Sequence, residues 1–306
     1  MNHSQMKKIS KLTLGTAQFG GKYGVANLSG APTPAQICTM LEEAAAAGIN
    51  CLDTARSYEG SEQALGNALE ETGLREHFLI VTKTSTRIPV NLSDSESLAA
   101  IRQSLEQSLR HLRCERPPVV LLHRDGNAAH LAALATCRAA GLAQLCGVSL
   151  TNPASAGNFL LHPHLGTIQV PVNALDTRFN AIIRAAGERG SLVFARSCYL
   201  QGLLLMTDEA TPPHLLAVKS ARDFLRHLAN EHSLQLSELL LRAMLSRSDI
   251  DSVVVGMESL SQLRDNLRIF QTPPLSTDIT KALETHTPDF PAWLVDPVQW
   301  NFHKAG

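Results

Sequence analysis

Gly48-Ile49-Asn50-Cys51-Leu52-Asp53-Thr54-Ala55 holds the pattern that decides the fold. A glycine stops a helical stretch, a short apolar-led run follows, and an aspartate closes it. Upstream, Thr33-Pro34 supplies an N-cap and a first-turn proline, and Ile37, Leu41, Ala44, Ala45 and Gly48 fall on one helical stripe. Downstream, Ser61 is placed to cap a helix over residues 62–71, with Gly73 after it. The reading is helix, strand, loop, helix.

The same unit recurs along the chain. Strand candidates are residues 11–14, 50–53, 79–82, 119–122, 145–149, 167–170, 192–195 and 252–255. Each is mostly apolar without strict alternation, as expected of strands buried on both faces. Helical periodicity fills residues 97–112, 128–140 and 181–188, and residues 215–248 have room for two helices. A parallel neighbour needs a crossover, which a helix supplies. Eight such units in order predict an α/β fold, a (β/α)8 TIM barrel, with residues 1–306 as a single domain. Residues 18–32, residues 199–214 and the tail from Gln271 exceed ordinary loop lengths and read as functional or mobile rim segments.

Composition narrows the function classes. The chain has 306 residues, 44% hydrophobic and 18% charged, with a formal net charge of -1. That leaves no basic footprint for nucleic acid or an anionic membrane. No apolar run approaches the ~20 residues that cross a bilayer. The start, Met1 to Lys8, lacks the apolar stretch of a secretory signal, so a cytoplasmic protein is expected. The cysteines at 38, 51, 114, 137, 146 and 198 form no Cys-x-x-Cys pair and read as small buried hydrophobes.

In a parallel barrel the strand ends and the loops after them share one rim. Asp53 ends the second strand candidate, Lys83 follows the third, His123 follows the fourth, and Tyr58 lies in the loop after Asp53. Singly, each has a bland reading: a helix cap, a lysine reaching water, a surface tyrosine. Together they make a proton donor for a carbonyl oxygen. A positioned acid is worth ~10²–10⁴-fold over water. An unperturbed tyrosine titrates near ~10. Lys83 is expected to lower that value, Asp53 to hold Lys83, and His123 to hydrogen-bond the carbonyl.

These stretches resemble the aldo-keto reductase superfamily. The matching residues are Leu14-Gly15-Thr16, Gly48 to Ala55 with Tyr58, Thr82-Lys83 and Leu121-Leu122-His123. Further matches are Gly147-Val148-Ser149, Ile168-Gln169 with Asn173, and Gln262-Leu263-Arg264-Asp265-Asn266-Leu267, all in family order. Arg196-Ser197-Cys198-Tyr199-Leu200-Gln201-Gly202-Leu203-Leu204-Leu205 looks closer to a bacterial subgroup associated with surface-polysaccharide and sugar metabolism.

No side chain donates hydride, so a cofactor must. No Gly-x-Gly-x-x-Gly follows the first strand, which argues against a Rossmann site. The resemblance implies NADP or NAD lying extended across the rim. Family contact positions map to Gly15, Thr16, Asp53, Ser149, Gln169 and Arg196, and to the stretch from Gly256 through Gln262 to Asn266. Ser149 and Gln169 carry groups able to hold a carboxamide. Three positions depart from the family pattern. Leu150 follows the serine where many relatives carry asparagine, and Arg196 stands where many place an aromatic ring. Gly256-Met257-Glu258-Ser259 stands where many carry a lysine or arginine for the adenosine 2′-phosphate. Glu258 pointing inward would repel that phosphate, and Arg264 on the same segment would offset it, so the NADPH-versus-NADH preference is open.

The implied activity is reduction of an aldehyde or ketone, sugar-derived carbonyls included. The reverse reaction, an aldose dehydrogenase, and a nicotinamide-binding regulatory subunit stand beside it. A metal-dependent hydrolase lacks a ligand cluster on the right rim. His162-Pro163-His164 falls between a helix and a strand, on the opposite rim, so no metal is expected. The expected partner is a small-molecule carbonyl substrate, with no nucleic acid and no membrane. Lys22 and Tyr23 belong to a loop long enough to cover the site. Arg56 and Arg124 either face the pocket or pair with Glu59 and Asp125. Leu239-Leu240-Leu241 reads as helix core, and Arg222, Arg242 and Arg247 as solvated surface.

Overall fold

The computed structural model describes residues 8–25, 27, 30–114, 119–162, 165–286 and 291–300. The start through residue 7 and residues 163 and 164 lie outside that set, and with them part of the signal reading and of the His-Pro-His reading. The strands are β1 (Leu12–Gly15), β2 (Cys51–Asp53), β3 (Leu79–Lys83), β4 (Val119–Leu122), β5 (Cys146–Ser149), β6 (Thr167–Pro171), β7 (Leu192–Arg196) and β8 (Ser252–Gly256). They pair in chain order, all parallel, and β8 returns to β1 to close an eight-stranded barrel. This is the (β/α)8 TIM barrel expected from the sequence.

Side-chain alternation explains why the barrel carries a site at one end. Cys51, Val81, Val119, Leu121, Phe194 and Val254 form one buried cluster, inside the barrel. Leu52, Ile80, Val120 and Leu122 belong to a separate, larger cluster between barrel and helices. Residues two apart on a strand share a face. The inner row therefore runs from Cys51 to Asp53, from Val81 to Lys83, from Leu121 towards His123, and from Phe194 to Arg196. Apolar packing fills the barrel, and its last layer is polar.

The helices are α1 (Pro34–Ala46), α2 (Ser61–Glu71), α3 (Asp94–Leu112), α4 (Leu131–Ala139), α5 (Ala156–Leu161), α6 (Asn180–Glu188), α7 (Lys219–Glu231), α8 (Leu236–Leu245), α9 (Leu260–Phe270) and α10 (Thr277–Thr285). Thr33 closes a capping box with Gln36 at the start of α1. Ser61 is not a cap. Left-handed Gly60 (φ 67°) precedes α2, and the Ser61 hydroxyl donates to the Thr16 carbonyl at 2.7 Å, tying α2 to the end of β1. α3 begins before the expected residue 97, because Ser93 and Glu96 form a capping box of their own. Residues 125–130 form a 3₁₀ turn ahead of α4, and the tail from Gln271 contains α10 rather than loop alone.

The three arginines read as solvated are not. Arg222 is 0% exposed. It donates to the Leu203 carbonyl at 3.1 Å, the Thr211 hydroxyl at 2.8 Å and Asp208 Oδ1 at 2.5 Å, so α7 grips the loop after β7. Arg242 and Arg247 are largely buried and pair with Glu238 at 2.9 Å and Asp249 at 2.8 Å. The cysteines form no disulfide. Among the described residues no helix is long and apolar enough to cross a membrane.

Candidate active site

Lys83 and Asp53 sit together at the end of the inner row, 1% and 3% exposed. The Lys83 ammonium donates to Asp53 Oδ1 at 2.6 Å and to the Thr54 carbonyl at 2.9 Å. Asp53 Oδ2 accepts from Gln169 Nε2 at 2.7 Å, and Gln169 Oε1 accepts from the Ser149 hydroxyl at 3.4 Å. Taking ions out of water is costly, and the carboxylate's second hydrogen bond helps this pair persist where apolar packing ends. Burial pulls the Lys83 pKa below the ordinary lysine value, with Asp53 opposing.

Tyr58 lies in the turn after β2. Its ring meets His123 edge-on, centroids 5.5 Å apart, and Lys83 Nζ lies 5.1 Å from the Tyr58 centroid. Tyr23 from the first long loop approaches from the other side, with centroids 5.7 Å apart. The four expected residues are thus brought together.

Their electrostatics differ from expectation. Burial, and then the Asp53 charge, push the Tyr58 phenol above its ordinary value, and Arg196 pulls the other way. Lys83 does not depress it as expected, because its ammonium is committed to Asp53. His123 is pushed down to about 3 by burial, with Lys83 and Arg196 acting in the same direction. It is therefore neutral near neutral pH, with one ring nitrogen donating and one accepting. Its Nδ1 is buried without a partner.

Above this layer opens a cavity of about 940 Å³. Its walls include Gly15, Thr16, Asp53, Tyr58, His123, Ser149, Gln169, Arg196, Gly256, Gln262 and Asn266. Of the expected residues only Lys83 is absent from the lining; it sits behind Asp53. Arg124 and Tyr23 line the cavity, whereas Lys22 and Arg56 do not, and Arg56 Nε donates instead to Gln107 at 3.2 Å. Arg264 is also outside the lining. It is held in a two-bond pair with Glu43 at 2.9 and 2.6 Å, so it does not offset Glu258. Glu258 itself lines the cavity and accepts from Gln262 Nε2 at 3.2 Å.

The cavity fits an extended dinucleotide. Its volume lies near the top of the range for ligand pockets, ~300–1,000 Å³. A Cβ at Gly256 would meet the Gln18 amide at 2.7 Å, so the end of that flexible side chain would have to move aside. Gln18 Oε1 is buried at that spot with no partner. Ser149 and Gln169 each keep hydrogen-bonding capacity beyond the bonds described. At α9, Asn266 Oδ1 accepts from the Tyr199 hydroxyl at 3.1 Å, which leaves the amide nitrogen for a ligand.

The sequence reading missed Gln18 and the tail residues Asp296 to Val298, which also line the cavity. Gln18 follows β1 by three residues, so the rule that barrel loops line the site would have found it. The sequence marked the tail only as a long rim segment from Gln271, with no residue in it singled out. The loop after β7 is unusual in its backbone: Ser197, Leu200 and Gln201 all have left-handed φ, at 67°, 49° and 53°. Such conformations cost of order 1–3 kcal/mol each and persist where surrounding structure holds them. Arg222 supplies part of that hold.

Comparison with known proteins agrees with this architecture. An uncharacterized oxidoreductase of Bacillus subtilis, YqkF, is 24% identical over 300 residues, covering 91% of this chain and 97% of that protein. The holo form of the aldo-keto reductase AKR11C1 from Bacillus halodurans superposes with a TM-score of 0.73 at 23% identity, over 90% of this chain and 91% of that one. An aldo/keto reductase from Klebsiella pneumoniae, in complex with NADP and acetate, gives 0.67 at 19% identity over 92% of each chain. The aldo/keto reductase family model matches residues 11–287. The chain therefore belongs to the aldo/keto reductase family and is an NAD(P)-dependent oxidoreductase.

Proposed function

We propose that the protein reduces an aldehyde or ketone to an alcohol, with Tyr58 as the proton donor. The observation that carries this is the Tyr58 phenol in the cavity wall, against the His123 ring and beside the buried Lys83–Asp53 pair. A reduced nicotinamide, when bound, supplies the hydride. Gly15, Thr16, Ser149, Gln169, Arg196, Gly256, Gln262 and Asn266 are the groups proposed to hold it.

The raised phenol pKa keeps Tyr58 protonated at neutral pH, so the proton is present when a carbonyl arrives. Neutral His123 can hydrogen-bond the carbonyl oxygen and fix its approach without competing as an acid. As negative charge develops on that oxygen, Tyr58 transfers its proton and becomes a phenolate. The cations around it then matter. Arg196 already opposes the upward shift, and Lys83 lies 5.1 Å from the ring. Arg196 favours the phenolate over the phenol, which lowers the barrier to donation. The same groups run backwards would take a proton from an alcohol.

The test is to titrate NADPH and NADH separately by nicotinamide fluorescence, then screen aldehydes, ketones and sugars by nicotinamide absorbance. Tyr58→Phe should cut turnover by at least ~10²-fold and leave cofactor affinity close to wild type. Near-wild-type turnover in that variant would remove Tyr58 from the role. Cofactor binding with no turnover of any carbonyl would favour a regulatory protein instead.

A further inference from the structure

Arg196 lines the cavity and has no carboxylate partner among the described residues. Its Nη2 donates to the Leu150 carbonyl at 2.9 Å and its Nη1 to the Ser197 hydroxyl at 3.3 Å, both neutral acceptors. Leu150 follows Ser149, and its own nitrogen donates to the Gln169 carbonyl at 3.0 Å. The guanidinium therefore reaches from the end of β7 past β6 to the end of β5. It stands beside the two strands whose Ser149 and Gln169 are proposed to hold the carboxamide.

The reacting groups around it sum to no charge. Lys83 and Asp53 cancel as a pair. Burial, and then the Asp53 charge, hold the Tyr58 phenol above its ordinary value, so it is uncharged at neutral pH. Tyr23 is pushed up to about 12, by Tyr58 first and by burial second, and is uncharged too. His123, pushed down to about 3 by burial, is neutral. On the loop after β4, Arg124 and Asp125 carry opposite signs. Asp125 accepts from the Thr151 nitrogen at 3.2 Å, on the far side of the peptide whose carbonyl Arg196 holds. Glu258 and Asp265 line the cavity towards α9, and Asp296 lines it from the tail, bonded to Gln299 at 2.8 Å. The Arg196 charge, by contrast, bears on Tyr58, Lys83 and His123 alike.

The reduced nicotinamide ring is uncharged, and the oxidised ring carries a positive charge. An unpaired cation beside the ring discriminates between the two forms. The aromatic ring that many relatives place here carries no charge and lacks that power. We propose that Arg196 makes this site prefer the reduced cofactor, so that it takes up the reduced form, sheds the oxidised one and runs towards the alcohol. This rests on the nicotinamide placement and the carbonyl reduction proposed above. The reaction sends hydride to the carbonyl carbon and the Tyr58 proton to its oxygen. Arg196 resists the positive charge left on the ring, so its advantage lies in uptake and release rather than in the hydride step.

The experiment measures dissociation constants by calorimetry, without substrate, for NADPH, NADP+, NADH and NAD+. In the wild type the reduced form of each pair should bind ~10–100-fold more tightly, as expected for like charges a few ångström apart at an effective dielectric near ~20. Arg196→Gln should cut that ratio by ~10-fold, chiefly by tightening the oxidised form, and Arg196→Lys should keep most of it. Raising the salt concentration should shrink the ratio. Wild type alone gives a second reading if the variants do not fold. ADP-ribose, which lacks the ring, should bind no more weakly than NAD+ and more weakly than NADH.

Equal affinity for the two forms, or a ratio that Arg196→Gln leaves unchanged, would overturn the proposal. So would an equal loss for both forms in Arg196→Gln, which would assign the guanidinium to the cofactor pyrophosphate. The proposed activity fails separately: an Arg196-dependent ratio with no turnover of any carbonyl would keep the cofactor preference and remove the reductase.

Discussion

Replacing Lys83 by methionine should destabilise the fold by about 3–5 kcal/mol, the usual result of removing one partner from a buried ion pair. The structure supplies the reasons. The ammonium is 1% exposed and bonded to Asp53 Oδ1 at 2.6 Å. Methionine fills much the same space, so little of the loss comes from a cavity. It leaves the Asp53 carboxylate, 3% exposed, with Gln169 Nε2 as its remaining side-chain donor. At ~2–4 °C per kcal/mol for a domain approaching this size, the melting temperature should fall by roughly 6–20 °C. Adding Asp53→Asn removes the orphaned charge and should recover ~2 kcal/mol of the loss, read as the interaction energy of a double-mutant cycle. The assay is thermal unfolding by far-ultraviolet circular dichroism near neutral pH at a common scan rate. A single variant melting within about 2 °C of wild type, or a double variant no more stable than the single, would show that the pair is not charged in the folded protein.

Three further outcomes are expected. The first concerns acid stability. His123 titrates at about 3 in the folded protein, against ~6.5 unfolded, so between those values the unfolded chain binds the proton first and stability falls as pH falls. By about pH 4.5 this amounts to ~2–3 kcal/mol, and His123→Asn should lose that much less than wild type on going from neutral pH; parallel acid limbs in the two proteins would contradict it. The second concerns the cofactor: Glu258 lines the cavity and Arg264 is locked on Glu43, so wild type should favour NADPH over NADH by less than ~10-fold. Glu258→Arg should shift that ratio towards NADPH by ~10–100-fold in competitive binding, and a wild-type preference of ~100-fold unmoved by the arginine would refute it. The third concerns the loop after β7: Arg222→Met should cost ~2–4 kcal/mol by stranding buried acceptors, and it should speed proteolysis within residues 199–214. Unchanged protease resistance there would show that Arg222 does not hold the loop.

The barrel was legible because its strands are short apolar runs between helix stops, and fully buried parallel strands have little else to be. All eight appear within a residue or two of their expected limits. The inner-row residues at strand ends were legible for the same reason, since topology alone brings them to one rim. Local signals failed where a tertiary contact outweighed them. Ser61 looks like a cap, but its hydroxyl is taken by the Thr16 carbonyl. Arg222 looks like surface until its stripe is examined: Ala221, Arg222, Leu225 and Ala229 are all buried on α7, so the arginine occupies an apolar face. Charge partners were the least legible. No spacing shows that Asp125 belongs to Thr151 or that Arg264 belongs to Glu43, whereas the Lys83–Asp53 pair was expected and is present.

The bond from Gln169 to Asp53 has a mechanical meaning. In a ring of eight strands β2 and β6 stand opposite one another, so this bond runs across the mouth rather than around it. The ladder resists stretching along the ring but does little to stop the ring from flattening, and a strut across the diameter does. The roundness of the mouth is therefore coupled to the charge on a carboxylate. Protonating Asp53, or drawing the Gln169 amide away to another acceptor, would slacken the strut and free the mouth to become oval.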